Sequence, residues 1–91
     1  MDIHALIVEE LFENKSLAAL VFLMDHGREL EFKVNEKECF LSCDGSEKYV
    51  SLWVNNNEQS FDSVLELIEN AAIENVCFVT AWQQAKLKYL F

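Results

Sequence analysis

The chain has no proline and only two glycines, Gly27 and Gly45. Few positions can therefore demand an unusual backbone, and the connections should be short. No apolar run approaches the ~20 residues of a membrane span. The longest is Leu17 to Met24. Met1-Asp2-Ile3-His4 carries no basic segment of the kind that opens a secretory signal. Three cysteines, an odd number without disulfide-like spacing, suggest a reducing cytoplasmic setting. Basic residues are scarce too: no Lys or Arg occurs between Lys48 and Lys86. That stretch holds Glu58, Asp62, Glu66, Glu69 and Glu74.

What remains is apolar and acidic. Ninety-one residues suffice for one domain spanning 1–91, and 52% of them are hydrophobic, too many for a disordered chain. The net charge is -9. Such a surface repels nucleic acid and anionic membranes and attracts a basic partner, although solubility alone can account for it.

The hydrophobic period changes along the chain. Ile3, Leu6, Ile7, Leu11 and Phe12 recur at helical spacing behind Asp2, a helix cap. Asn14-Lys15-Ser16 interrupts this helix or breaks it in two, and Gly27 ends the second part. From Arg28 to Val34 the period drops to two, as in a half-buried strand. Strands at 38–43 and 49–54 follow, joined by a turn at Asp44-Gly45. Glu58 to Phe61 could add an edge strand. Ser63 to Glu66 forms a capping box for a helix reaching about Ala71.

Residues 75–80 read either way. Asn75 to Thr80 has strand propensity, whereas Phe78, Ala81, Trp82, Ala85 and Tyr89 follow a helical stripe. The expected class is α+β: an N-terminal helix, whole or broken, a three-stranded antiparallel meander, and two C-terminal helices. Leu30, Phe32, Val34, Leu41, Val50, Leu52, Leu65, Ile68, Phe78 and Trp82 are its expected core.

The stretch Glu38-Cys39-Phe40-Leu41-Ser42-Cys43 looks like a metal or redox site until its geometry is considered. On a strand, Cys39 and Cys43 lie about 13 Å apart, too far for a disulfide or a shared zinc ion. They are expected to be small core residues, with Cys77 filling a gap near a helix start. His4 and His26 lack a metal-ligand spacing, and no phosphate loop or nucleophile elbow is present. The expectation is a non-enzyme without cofactor or metal.

Two surfaces qualify for binding. Asp62, Glu66 and Glu69 recur at i, i+4, i+7, about 6 Å apart on a helix. They either imitate a phosphate strand for a basic groove or form a solvated face. Phe40, Tyr49 and Trp53 fall on the strand face opposite Leu41 and Leu52, near Glu29, Glu31 and Lys33. If open, that face docks a protein; if a helix covers it, it is core.

Three stretches carry a resemblance: Gly27 to Phe32, Ser60 to Leu67, and Ile73 to Trp82. They are similar to small uncharacterised acidic proteins of Firmicutes chromosomes and mobile elements. The ends of that group read F-x-S-hydrophobic-x-x-L-L…I-D-G-K-S-L-x-x-I-W. Phe61, Ser63, Ile73, Phe78, Ala81 and Trp82 match, while Asn75 and Val76 replace the usual Gly and Lys. The resemblance covers about residues 27–90, implies a helix over 78–88 and carries no catalytic residue. In size, charge and order of elements the chain also resembles phage-encoded anti-CRISPR inhibitors.

The leading functional expectation is an inhibitor or immunity-type protein that binds a basic protein surface, such as that of a nucleic-acid-binding enzyme. It would not touch nucleic acid or membrane itself. The alternative is a structural or regulatory module, or a homodimer, using the aromatic face.

Overall fold

The computed structural model describes residues 2 to 44 and 49 to 91. Helix α1 spans Ile3–Asn14 and α2 spans Leu17–Asp25. Asp2 caps the first by accepting from the His4 amide, and Ser16 caps the second by accepting from Ala19. Between them Lys15 turns left-handed at φ 50° and breaks the run. Of the stripe expected on α1, only Leu11 is fully buried, while Ile3, Leu6 and Phe12 stay exposed. Gly27, at φ 82°, ends the helical part as its lack of a Cβ permits.

Strands β1 (Leu30–Val34), β2 (Lys37–Asp44), β3 (Tyr49–Val54) and β4 (Asn57–Phe61) follow as antiparallel neighbours. The β1–β2 and β3–β4 turns each begin with an asparagine in the left-handed region, Asn35 and Asn55, where an Asn pays little. The expected Asp44-Gly45 turn lies outside the described residues. Helix α3 (Val64–Asn70) precedes a small hairpin of β5 (Ala72–Ile73) and β6 (Val76–Cys77). Glu74 and Asn75 both take positive φ in its turn, so the hairpin forms without a glycine. Helix α4 (Phe78–Trp82) leads into β7 (Ala85–Leu90).

β7 returns to pair antiparallel with β1, which gives a five-stranded sheet ordered β4-β3-β2-β1-β7. The three-stranded meander with two C-terminal helices is therefore incorrect. The helix expected over 78–88 stops at Trp82. Two causes favour the strand. Pairing with β7 satisfies the backbone groups that β1 would otherwise leave open on its outer side. Lys15 also donates its Nζ to the carbonyls of Gln83 (2.8 Å) and Ala85 (3.0 Å). In return the Lys15 carbonyl accepts from Trp82 Nε1 at 2.9 Å.

The helices bury against one face of this sheet. Leu11, Leu20, Leu23, Val64, Leu67, Phe78 and Trp82 join Leu30, Phe32, Val34, Leu41 and Leu52 in one core. Phe32 meets Trp82 edge-on and Phe78 stacks on Trp82. Leu65, expected in the core, is 60% exposed, because α3 turns Val64 and Leu67 inward instead. Among the described residues, no helix is long and apolar enough to cross a membrane.

Candidate docking face of the sheet

Alternation along each strand sends every second residue to the face away from the helices. The register aligns these residues in rows across the strands. One row runs Tyr89, Glu31, Phe40, Trp53 and Glu58. The next joins Ser42, Ser51 and Ser60. Glu29 continues that second row on the β1 side, hydrogen-bonded to Phe91 through both backbone groups. Tyr49 stands beyond Ser51 on β3, opposite Asp44.

Phe40, Tyr49 and Trp53 are thus on one face, and none is sealed: each is half-buried. Tyr89 of β7 and Phe91 just after it add two aromatics that no strand was expected to bring there. Tyr89 is 62% and Phe91 58% exposed. The Phe91 ring lies 6.0 Å from Phe40 and 6.4 Å from Tyr89.

Charge divides this face. Near the β1–β2 turn Lys33 pairs with Glu36 (3.9 Å) and Glu38 (4.0 Å), and Lys88 of β7 pairs with Glu38 (3.3 Å). Among the described residues, no Lys or Arg forms an ion pair with Glu29, Glu31 or Glu58.

Ser51 is buried to 1% exposure although it lies on the face away from the helices. A buried hydroxyl needs partners, and it has two. Ser51 Oγ donates to Glu58 Oε2 at 2.7 Å and shares a 3.0 Å hydrogen bond with Ser60 Oγ. Glu29 Oε2 accepts from the Cys43 amide at 3.4 Å. The result is a depression of about 300 Å³ lined by Glu29, Ser42, Cys43, Tyr49, Ser51, Trp53 and Glu58. Glu29 and Glu58 were not singled out as site residues in the sequence. Glu58 had a signal, the period-two pattern of Glu58-Gln59-Ser60, which pairs with Ser51-Leu52-Trp53; Glu29, before β1, had none.

The acidic candidates are arranged differently from a helical row. Glu66 and Glu69 lie on α3 and are exposed, but Asp62 precedes the N-cap Ser63. Its amide donates to Glu66 Oε2 at 3.2 Å, so one carboxylate is occupied in closing the helix start. Asp62 follows Phe61, the partner of Val50, which brings the start of this row beside the Tyr49 end of β3.

The cysteines separate. Cys39 is buried in the core, and burial pushes its thiol up to about 11. Cys43 is half-buried. Cys77, expected to fill a gap, is exposed at the N-cap of α4. The Thr80 hydroxyl, 3.1 Å away, and the Thr80 amide lower its thiol pKa. Among the described residues, no three His, Cys, Asp or Glu side chains gather into a group that could hold a metal ion. Searches against protein families, curated proteins and solved structures find no match for this chain.

Proposed function

We propose that this protein is a non-catalytic binding module that docks a basic protein surface on the open face of its sheet. The observation that carries the reading is the asymmetry of that sheet. Helices α1 to α4 pack on one face, while Phe40, Tyr49 and Trp53 stay accessible on the other beside Glu29, Glu31 and Glu58. Partly exposed aromatics clustered on a rigid element are typical anchors of a protein interface. A net charge of -9 selects for a basic partner and speeds its encounter. Inhibition of a nucleic-acid-binding enzyme by occupying its basic groove is the sharpest form of this role.

Asp62, Glu66 and Glu69 enter as a flank of the same interface, because Asp62 begins where the sheet face ends. The test is capture from host lysate with the tagged protein, wild type against two variants. Trp53→Ala should remove the captured basic protein, and Glu66→Lys with Glu69→Lys should only weaken it. The reverse ranking would move the interface to α3. A wild-type protein that sediments as a dimer and captures nothing would show that the aromatic face binds a second copy instead.

A further inference from the structure

We infer that the depression between Tyr49 and Trp53 is a seat for one arginine side chain of the partner. This rests on the docking reading above but makes a claim about chemistry that the reading does not need. Ser42 and Ser51 form the floor, since small side chains there leave a trough between larger neighbours. Tyr49 and Trp53 wall it on β3, with Cα atoms about 13 Å apart along the strand. The trough runs across the strands, with Glu29 at the β1 side and Glu58 on β4.

Each part suits a guanidinium. Aromatic faces attract a cation, and tryptophan does so best. Glu58 reaches over the floor to Ser51, which holds its carboxylate in the trough. Glu29 is held from the other side by the Cys43 amide. Neither has a cationic partner among the described residues, whereas Glu38 is already paired with Lys33 and Lys88. Among the described residues, the trough therefore offers two held carboxylates and two aromatic side chains with no positive charge between them. A planar guanidinium can stack on a ring and donate to both carboxylates at once; an ammonium on a flexible stem cannot do all of this.

The experiment uses the intact chain and a capped Gly-Arg-Gly peptide, followed by NMR. A citrulline peptide of the same shape removes only the charge, and a lysine peptide keeps the charge but loses the plane. Saturable shifts are expected at the Trp53 indole and the Tyr49 ring. The Trp82 indole, bonded inside the core, serves as the unmoved reference. Citrulline should bind at least about tenfold more weakly, the order of one charge-assisted contact. Glu58→Gln, which keeps an oxygen for Ser51, should weaken the arginine peptide severalfold.

Equal binding of the citrulline peptide, or shifts confined to α3, would overturn the proposal. If arginine gives no response while Trp53→Ala still abolishes partner capture, the seat is wrong and the docking face stands. If arginine binds as described while capture ignores Trp53→Ala, the seat stands and the docking reading falls.

Discussion

Phe32 and Phe40 lie on adjacent strands, and the partner of Phe32 is Cys39, the residue just before Phe40. Yet Phe32 is fully buried against Trp82, whereas Phe40 is half-buried with Phe91 for a neighbour. One strand step separates a side chain that holds the fold together from one left over for another molecule. The same contrast divides Leu52 from Trp53 on β3, where Leu52 is inaccessible and Trp53 lines the trough. Period-two alternation alone does not decide which face is sealed. That depends on where the helices go.

The sharpest way to break the comparison is to truncate both phenylalanines. Phe32→Ala should cost about 3–5 kcal/mol in urea unfolding, the range for a buried aromatic. Phe40→Ala should cost about 1 kcal/mol or less, as for sites outside a packed core. Equal losses would mean that the open face is structural.

The second test uses pH. Cys39 keeps its proton in the fold up to about 11, against an ordinary value of 9.0. The unfolded chain loses that proton first as pH rises. The contribution is therefore complete below 9.0 and is lost as pH climbs through about 11. Between pH 8 and pH 11 the wild type should lose roughly 2 kcal/mol more than Cys39→Ala. Alkylation of the native protein at pH 8 should modify Cys77 about a hundredfold faster than Cys39, since thiolate content and access both favour it. Peptide mapping of the labelled cysteines reads this directly, and comparable rates would contradict the burial of Cys39.

The smallest expected effect concerns the caps. Ser63→Ala removes the acceptor of the Glu66 amide and should cost about 1 kcal/mol. It should leave the arginine response unchanged, because α3 lies outside the trough. A lost response would tie the helix start to the open face.

Much of this was legible in local pattern. The breaks at Lys15 and Gly27, the alternation from Leu30 to Val34 and the caps at Asp2 and Ser63 are short-range effects, and each is present. The grouping of Phe40, Tyr49 and Trp53 followed from alternation too. Failures came where distant partners decide. Ala85 to Leu90 alternates as a strand, but the stripe through Phe78, Trp82 and Tyr89 read as helix. Only the open edge of β1 and the Lys15 clasp settle that conflict. Leu65 failed because a seven-residue helix has room for a narrow buried stripe. The trough as a whole was not legible, because its carboxylates come from β4 and from before β1 and reach Ser51 and the Cys43 amide only through strand pairing.

The position of β7 also gives the molecule a timetable. During synthesis the hairpins from β1 to β4 can form as they emerge, since each pairs with its predecessor. β7 emerges last of the five, yet its place is beside the first, where position 90 meets position 30. Until then β1 presents a bare edge to whatever chain is nearby. Closure must wait for a long loop to come round, a slow step for any sheet. Until β7 pairs, the outer side of β1 is an open strand edge, and Lys86 and Lys88, arriving on β7, leave a charged border once that edge is covered.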